Sequence, residues 1–167
     1  SVPAGGNAIL AYETAINEFA PLDTEAEIHN VVTVSGGGIT PITASETIDA
    51  VSNPILTITK SLSPVPVTEN GTLTYTFLVQ NTGNVAATES ASALITDTFN
   101  PILSNLSVSF NGAAWTEGEQ YTYNEVTGEF ATVAGQITVP EAAYTQDATT
   151  GAWFVNPGVS TLVVTGT

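Results

Sequence analysis

Residues 55–62 read ILTITKSL, and the stretch alternates apolar and polar side chains over most of its length. Alternation with a period of two is typical of a β-strand with one buried face, because successive side chains point to opposite sides. Leu56, Ile58, Lys60 and Leu62 therefore share the inner face, and the Thr and Ser residues between them point outward. The stretch predicts a strand that turns the only lysine of the protein towards an apolar interior.

The same alternation of apolar and polar residues recurs in the sequence before and after this strand. The chain is rich in Thr and Val, turn dipeptides such as Asn70-Gly71 and Asn111-Gly112 interrupt it, and no window shows a sustained helical repeat. We therefore predict an all-β protein built as an antiparallel β-sandwich. The predicted strands cover residues 7–16, 27–35, 42–51, 55–62, 72–80, 93–99, 106–110, 121–124, 130–133, 136–139, 153–155 and 159–165.

The best domain boundary in the sequence is Asn53-Pro54, because proline disfavours strand pairing and a new strand starts directly after it. Residues 1–53 hold about three predicted strands, too few to bury two sheet faces, so we interpret them as the closing strands of a preceding domain. We expect residues 54–167 to form a second sandwich that lacks its closing strand. We expect its open edge beside residues 159–165.

The composition of the chain excludes several classes of binding partner. The 167 residues are 43% apolar and carry 16 Asp and Glu against one Lys or Arg, so the net charge is −15. Such a charge excludes nucleic acid and anionic lipid surfaces as partners, and no apolar stretch is long enough to span a membrane. The chain has no Cys, hence no disulfide, and no Met, which predicts a processed piece of a longer product. A single basic residue also leaves trypsin-like proteases one cleavage site, which suits life outside a cell.

Four segments carry a family resemblance: residues 55–64, ILTITKSLSP; residues 71–77, GTLTYTF; residues 79–84, VQNTGN; and residues 95–99, ITDTF. In this order they look like the DUF-eleven surface repeat, and residues 2–8 and 28–36 resemble the last strands of the same repeat. The resemblance covers most of the chain. It implies immunoglobulin-like sandwiches on bacterial or archaeal cell surfaces, so that residues 1–53 would close one such domain and residues 54–167 would form the next.

Three polar side chains are expected on inner faces: Lys60, Asp97 between Ile95 and Phe99, and Asn30 between Ile28 and Val32. An inward Lys, Asp and Asn are the residues that form a spontaneous isopeptide crosslink in pilin-like and adhesin domains of the immunoglobulin type. Burial disfavours both charges, so the amine becomes nucleophilic while the protonated acid polarises the amide. The alternatives are a buried Lys60–Asp97 ion pair and a Lys60 that extends to the solvent at the strand end.

We therefore predict a structural subunit of an extracellular filament or cell-surface appendage, joined head to tail to other copies by strand complementation. The alternative is a tandem-repeat adhesin or stalk module that binds carbohydrate or protein, for which Trp115, Tyr121, Tyr123 and Trp153 could form a platform.

No enzyme is predicted, since His29 is the only His and no phosphate loop or nucleophile–base pair is present. No cofactor is predicted. The acidic group Asp23, Glu25 and Glu27, beside Asn17 and Glu18, matches no defined calcium loop.

Overall fold

A computed structural model describes residue 2 and residues 4–15, 27–49 and 51–167. The protein is all-β, as predicted, and every ladder between its strands is antiparallel. In the described chain, a single turn of 3₁₀ helix at Glu89–Ala91 is the only helical element. The strands are β1 (Glu27–Gly36), β2 (Ile39–Asp49), β3 (Leu56–Ser63), β4 (Leu73–Asn81), β5 (Thr96–Thr98), β6 (Ser107–Phe110), β7 (Ala113–Trp115), β8 (Tyr121–Tyr123), β9 (Glu129–Thr132), β10 (Ala143–Gln146), β11 (Trp153–Asn156) and β12 (Gly158–Gly166).

Two sheets enclose the hydrophobic core. One has five strands in the order β3-β4-β12-β6-β7, and the other has three in the order β5-β9-β8. Strand β4 alternates buried and half-buried residues along its length, which is the pattern that its sequence predicts. The core formed between the sheets contains Leu73, Tyr75, Phe77, Val79, Ala87, Ile95, Phe99, Leu103, Val108, Phe110, Tyr121, Phe130, Ile137, Val139, Leu162 and Val164.

The open edge lies elsewhere than the sequence suggested. Strand β12 contains residues 159–165, and it pairs with β4 on one side and β6 on the other, so the predicted open edge beside it is wrong. Within the described chain, β3 pairs only with β4, and β5 pairs only with β9. Each of these two strands is thus the edge of its sheet, and a row of backbone groups is left without a neighbouring strand.

Strands β1 and β2 form a separate hairpin, and among the described strands they pair only with each other. The turn at residues 37–38 is glycine, with positive φ at both positions, as a tight hairpin requires. All residues of both strands are exposed, including those on the apolar face. The hairpin therefore presents a sheet face that is exposed along its whole length in the described chain.

Residues 51–55 link the hairpin to β3 and are anchored to the turn after β4. The buried Asn81 side chain accepts a hydrogen bond from the Ile55 N–H at 2.9 Å, and Asn84 binds both Val51 O and the Asn53 N–H. Gly83 packs so closely that a Cβ there would lie 2.1 Å from Asn53 O. The linker is consequently held against the end of the sandwich where β3 begins.

Several strand predictions need correction. Residues 7–15 form no strand, and the rest of that predicted segment lies outside the described residues. Residues 136–139 contribute only a bridge between Val139 and Ala87. They lie between β9 and the separate hairpin that β10 forms with β11. Strands β7 and β10 were not predicted, since both are short and their sequences show little alternation. Among the described residues, no helix has the length and apolar character needed to cross a membrane.

Candidate functional site: the open edge at Lys60 and Asp97

Lys60 lies in the middle of β3, directly opposite Phe77 of β4. Phe77 is buried, so the shared face is the inner one, as the alternation of β3 predicts. The neighbours of Lys60 on this face, Leu56, Ile58 and Leu62, are nevertheless exposed, and Ile58 is 52% exposed. Because β3 is an edge strand and no strand of the described chain lies over it, its inner face remains open to solvent.

Asp97 lies in β5, at the edge of the opposite sheet, where it pairs with Phe130 of β9. Its side chain is 18% exposed and points inward, as the buried Ile95 and Phe99 on either side of it require. The Asp97 Oδ1 atom accepts a hydrogen bond from the Thr98 N–H at 2.9 Å. In the described part of the chain, its buried Oδ2 atom has no hydrogen-bond partner of ordinary geometry.

The Lys60 ammonium forms an ion pair with this Oδ2 atom, so the pair joins the two sheets at their open edges. The Nζ atom also lies 4.6 Å from the centre of the Tyr75 ring, and 5.6 Å from those of Phe77 and Phe99. Cations are attracted to aromatic faces at such distances. The side chain of Lys60 is still 39% exposed, so the ion pair lies at the surface and not deep in the core.

Asn30 is not part of this pair in the described chain. It lies on β1, where its Nδ2 atom donates a hydrogen bond to the Tyr12 hydroxyl at 2.8 Å. The ladder places it on the apolar face of the hairpin, directly opposite Glu46 of β2. Within the described residues, no hydrogen bond joins Asn30 to Lys60 or Asp97. The structure thus brings two of the three predicted residues together and holds the third on an exposed face.

The rings of Tyr75, Phe77 and Phe99 are a part of the site that the sequence did not predict, since only the folded sheets bring them under Lys60. Outside the site, the sequence also did not single out Glu46 as a charged residue on the apolar face of the hairpin. The alternation of residues 42, 44, 46 and 48 in β2 could have revealed that position, because Ile42, Ala44 and Ile48 are the apolar members of that series.

Most of the other residues that the sequence singled out, the aromatic and the acidic ones, either pack in the core or lie outside the described residues. Trp115 packs on Phe110 at 5.1 Å between ring centres, and Tyr121 on Phe130 at 5.5 Å, so these aromatic residues serve the core. Burial, and the nearby Glu117 carboxylate, raise the pKa of Tyr121. Asn17, Glu18, Asp23 and Glu25 fall outside the described residues. Within those described, no three His, Asp or Glu side chains are grouped as a metal site.

Comparison with protein-family models, with curated proteins and with solved structures found no match for this chain.

Proposed function

We propose that this protein is a structural subunit of an extracellular filament or cell-surface appendage, assembled head to tail by strand complementation. One observation carries the proposal: the described part of the chain has two exposed apolar sheet faces, one on the β1–β2 hairpin and one at the β3 edge. Exposed apolar faces of this kind mark interaction sites in folded proteins.

The acceptor surface, to which the strand of another copy would add, is the gap between the edge strands β3 and β5. Both strands offer a free edge of backbone N–H and C=O groups, to which an extended segment can add as a further strand. Beneath it lie Ile58 and Leu62 of β3 and the ion pair of Lys60 with Asp97. An added strand with an apolar inner face would remove these side chains from water.

The donor is the β1–β2 hairpin of another copy. One of its faces carries polar residues such as His29, Thr33 and Thr47, and the other carries apolar ones. Apart from the polar pair Asn30 and Glu46, this face consists of six exposed apolar residues: Ile28, Val32, Val34, Ile42, Ala44 and Ile48. Burying this face stabilises a complex by roughly 25 cal/mol per Å² of apolar surface removed from water.

The linker favours a donor from another chain over the chain's own hairpin. Residues 51, 53 and 55 are hydrogen-bonded to Asn84 and Asn81, which holds the linker at the start of β3. A hairpin folding back over its own β3 would have to reverse direction within this anchored segment. Donor and acceptor are also different surfaces, and such a heterologous contact extends into a filament unless it closes into a ring.

Docking would bring Asn30 of the donor to the Lys60–Asp97 pair of the acceptor. An isopeptide bond between Lys60 and Asn30 can then form and link the two subunits covalently. For the bond to form, the Lys60 ammonium first passes a proton to Asp97, and the resulting amine attacks the Asn30 carboxamide carbon. A new C–N bond replaces the bond to the amide nitrogen, and ammonia leaves. Asp97 would deliver its proton to the departing nitrogen and take up the second proton that the attacking amine loses. Such a bond would stabilise a chain that has no Cys and hence no disulfide.

A pair of matched variants tests the proposal. Val32 and Val31 are adjacent on β1 and equally exposed, at 52% and 53%, but they lie on opposite faces of the hairpin. We expect Val32→Asp to abolish assembly, measured by sedimentation and electron microscopy, and Val31→Asp to leave it intact. An unmodified chain that stays monomeric at high concentration would contradict the proposal and leave the tandem-repeat surface module as the remaining function.

A further inference from the structure

We propose that Glu46 determines how the donor hairpin is aligned on its acceptor, by pairing with Lys60 of the next subunit. The inference rests on the proposed head-to-tail assembly and deepens it, because it assigns the partner of a carboxylate that the crosslink does not use.

The position of Glu46 is unusual for a charged residue. It lies on the apolar face of the hairpin, directly opposite Asn30, and the two form the only polar cross-strand pair on that face. The pairs on either side are Ile28 with Ile48 and Val32 with Ala44. If the face docks on another subunit, Glu46 becomes buried, and a buried carboxylate needs a charged or hydrogen-bonding partner.

The acceptor carries a matching pattern. Its inner face at β3 is apolar at Leu56, Ile58 and Leu62 and polar only at Lys60, which lies beside Asp97. Each of the two faces thus has one polar pair within an apolar surface. A shift of the donor by two residues along β3 would keep the same side chains inward but would place Glu46 on an aliphatic neighbour. The two polar pairs therefore favour a single alignment.

The composition of the chain leaves Glu46 one candidate partner of this kind. The sequence holds a single Lys or Arg, and this residue is Lys60. The only His, His29, lies on the opposite face of the hairpin and contacts Thr47. In any contact between two copies, Lys60 is accordingly the one Lys or Arg side chain that Glu46 can meet.

Before the amide bond forms, while Lys60 is still an ammonium, its side chain can pair with two carboxylates at once. An ammonium group has three N–H donors, and the side chain remains 39% exposed while it pairs with Asp97. The pairing also offsets part of the repulsion between two subunits that each carry a net charge of −15. Without a cation at the contact, the docking of two such chains would bring only like charges together.

A charge exchange tests the inference, in a full-length Asn30→Ala chain that cannot form the amide bond, so that association stays reversible. We expect Glu46→Lys to weaken association by about a hundredfold, because it sets two cations against each other. The double variant Glu46→Lys with Lys60→Glu should recover most of this loss. Glu27→Lys is the matched control, since Glu27 lies on the polar face and changes the net charge equally.

Circular dichroism would show that each variant keeps its β structure, and Glu46→Gln, which retains the shape, should weaken association less than Glu46→Lys. If Glu46→Lys associates as Glu27→Lys does while Val32→Asp still prevents assembly, the assignment of Glu46 is wrong and the proposed function stands. Failure of the double variant to recover association would likewise overturn the pairing. If neither the Asn30→Ala chain nor the unmodified chain associates at all, the proposed function fails and the inference with it.

Discussion

Lys60 of β3 and Asp97 of β5 form an ion pair that joins the two sheets where both have an unpaired edge. Its two strands belong to different sheets, and among the described strands each is an edge strand of its sheet. Three aromatic rings surround the ammonium on the inside, whereas the outside is open to solvent. The ion pair thus lies at the base of the surface that we propose as the acceptor.

The ion pair should contribute little to the stability of the isolated subunit. Lys60 is 39% exposed, so solvent screens the attraction, and we expect Lys60→Gln to lower the free energy of unfolding by roughly 1 kcal/mol or less. Chemical denaturation of the monomer measures this, with Thr59→Ala on the outer face as control. A loss of several kcal/mol would mean that the pair holds the two sheets together.

The proposed crosslink has a direct mass signature. Each bond between Lys60 and Asn30 releases one ammonia, about 17 Da. Assembled material should therefore give a ladder of species after boiling in detergent, each lighter than the sum of its subunits by this amount for every bond that it contains. Lys60→Ala and Asn30→Ala should both abolish the ladder, and Asp97→Ala should slow its formation. Only monomer bands of unchanged mass, from assembled material, would show that the contact is noncovalent.

The acceptor surface can be tested independently of the hairpin. Ile58 and Thr59 are neighbours on β3, both exposed, but Ile58 points to the inner face and Thr59 to the outer. We expect Ile58→Asp to block the addition of further subunits because it places a carboxylate in the apolar contact, whereas Thr59→Asp should not. Mixing either variant with unmodified chains and following filament length by electron microscopy measures the effect. Equal effects of the two substitutions would contradict an acceptor at the inner face of β3.

Asn81 should be among the most sensitive positions of the fold. Its side chain is fully buried, accepts hydrogen bonds from the N–H groups of Ile55 and Gly83, and donates to the carbonyls of Val85 and Pro140. Asn81→Leu leaves these four backbone groups without partners, and we expect a loss of about 3 kcal/mol or more in the free energy of unfolding. Gln80→Leu, one residue earlier and on the other face, is the control. A loss below 1 kcal/mol would mean that the linker is not held by Asn81.

Asp147 should make the β10–β11 hairpin sensitive to acid. Backbone N–H groups of Thr150 and Thr149 donate to its carboxylate and lower the pKa of Asp147 below the ordinary value of 3.8. Because the pKa is lower in the folded state, the carboxylate stabilises the hairpin above its unfolded pKa, and this contribution is lost as pH falls through the folded pKa.

Titration of Asp147 and of the Thr150 amide by NMR measures this effect. Asp147→Asn should remove the titration while keeping a side-chain oxygen in the turn. A midpoint at or above 3.8 for Asp147 would contradict the expected stabilisation.

Much of the fold and part of the site could be predicted from local patterns. The alternation in residues 55–62 and around Asp97 correctly gave the inward direction of both side chains, because the period of two is a property of any strand with one buried face. The turn at Asn111-Gly112 was also predicted, and both residues have the positive φ that such a turn needs. The strands β7 and β10 could not be predicted, because both are short and show little alternation of apolar and polar side chains.

The sequence by itself determined the all-β class, the inner faces of the strands and the presence of one cation among 16 carboxylates. Only the tertiary structure decided which strands are neighbours: β12 lies between β4 and β6, whereas β3 and β5 each lie at an edge of their sheet. The reason is that periodicity is local, whereas strand pairing joins residues far apart, such as Leu73 with Gly166. The meeting of Lys60 with Asp97, and the separation of Asn30 from both, follow from that pairing.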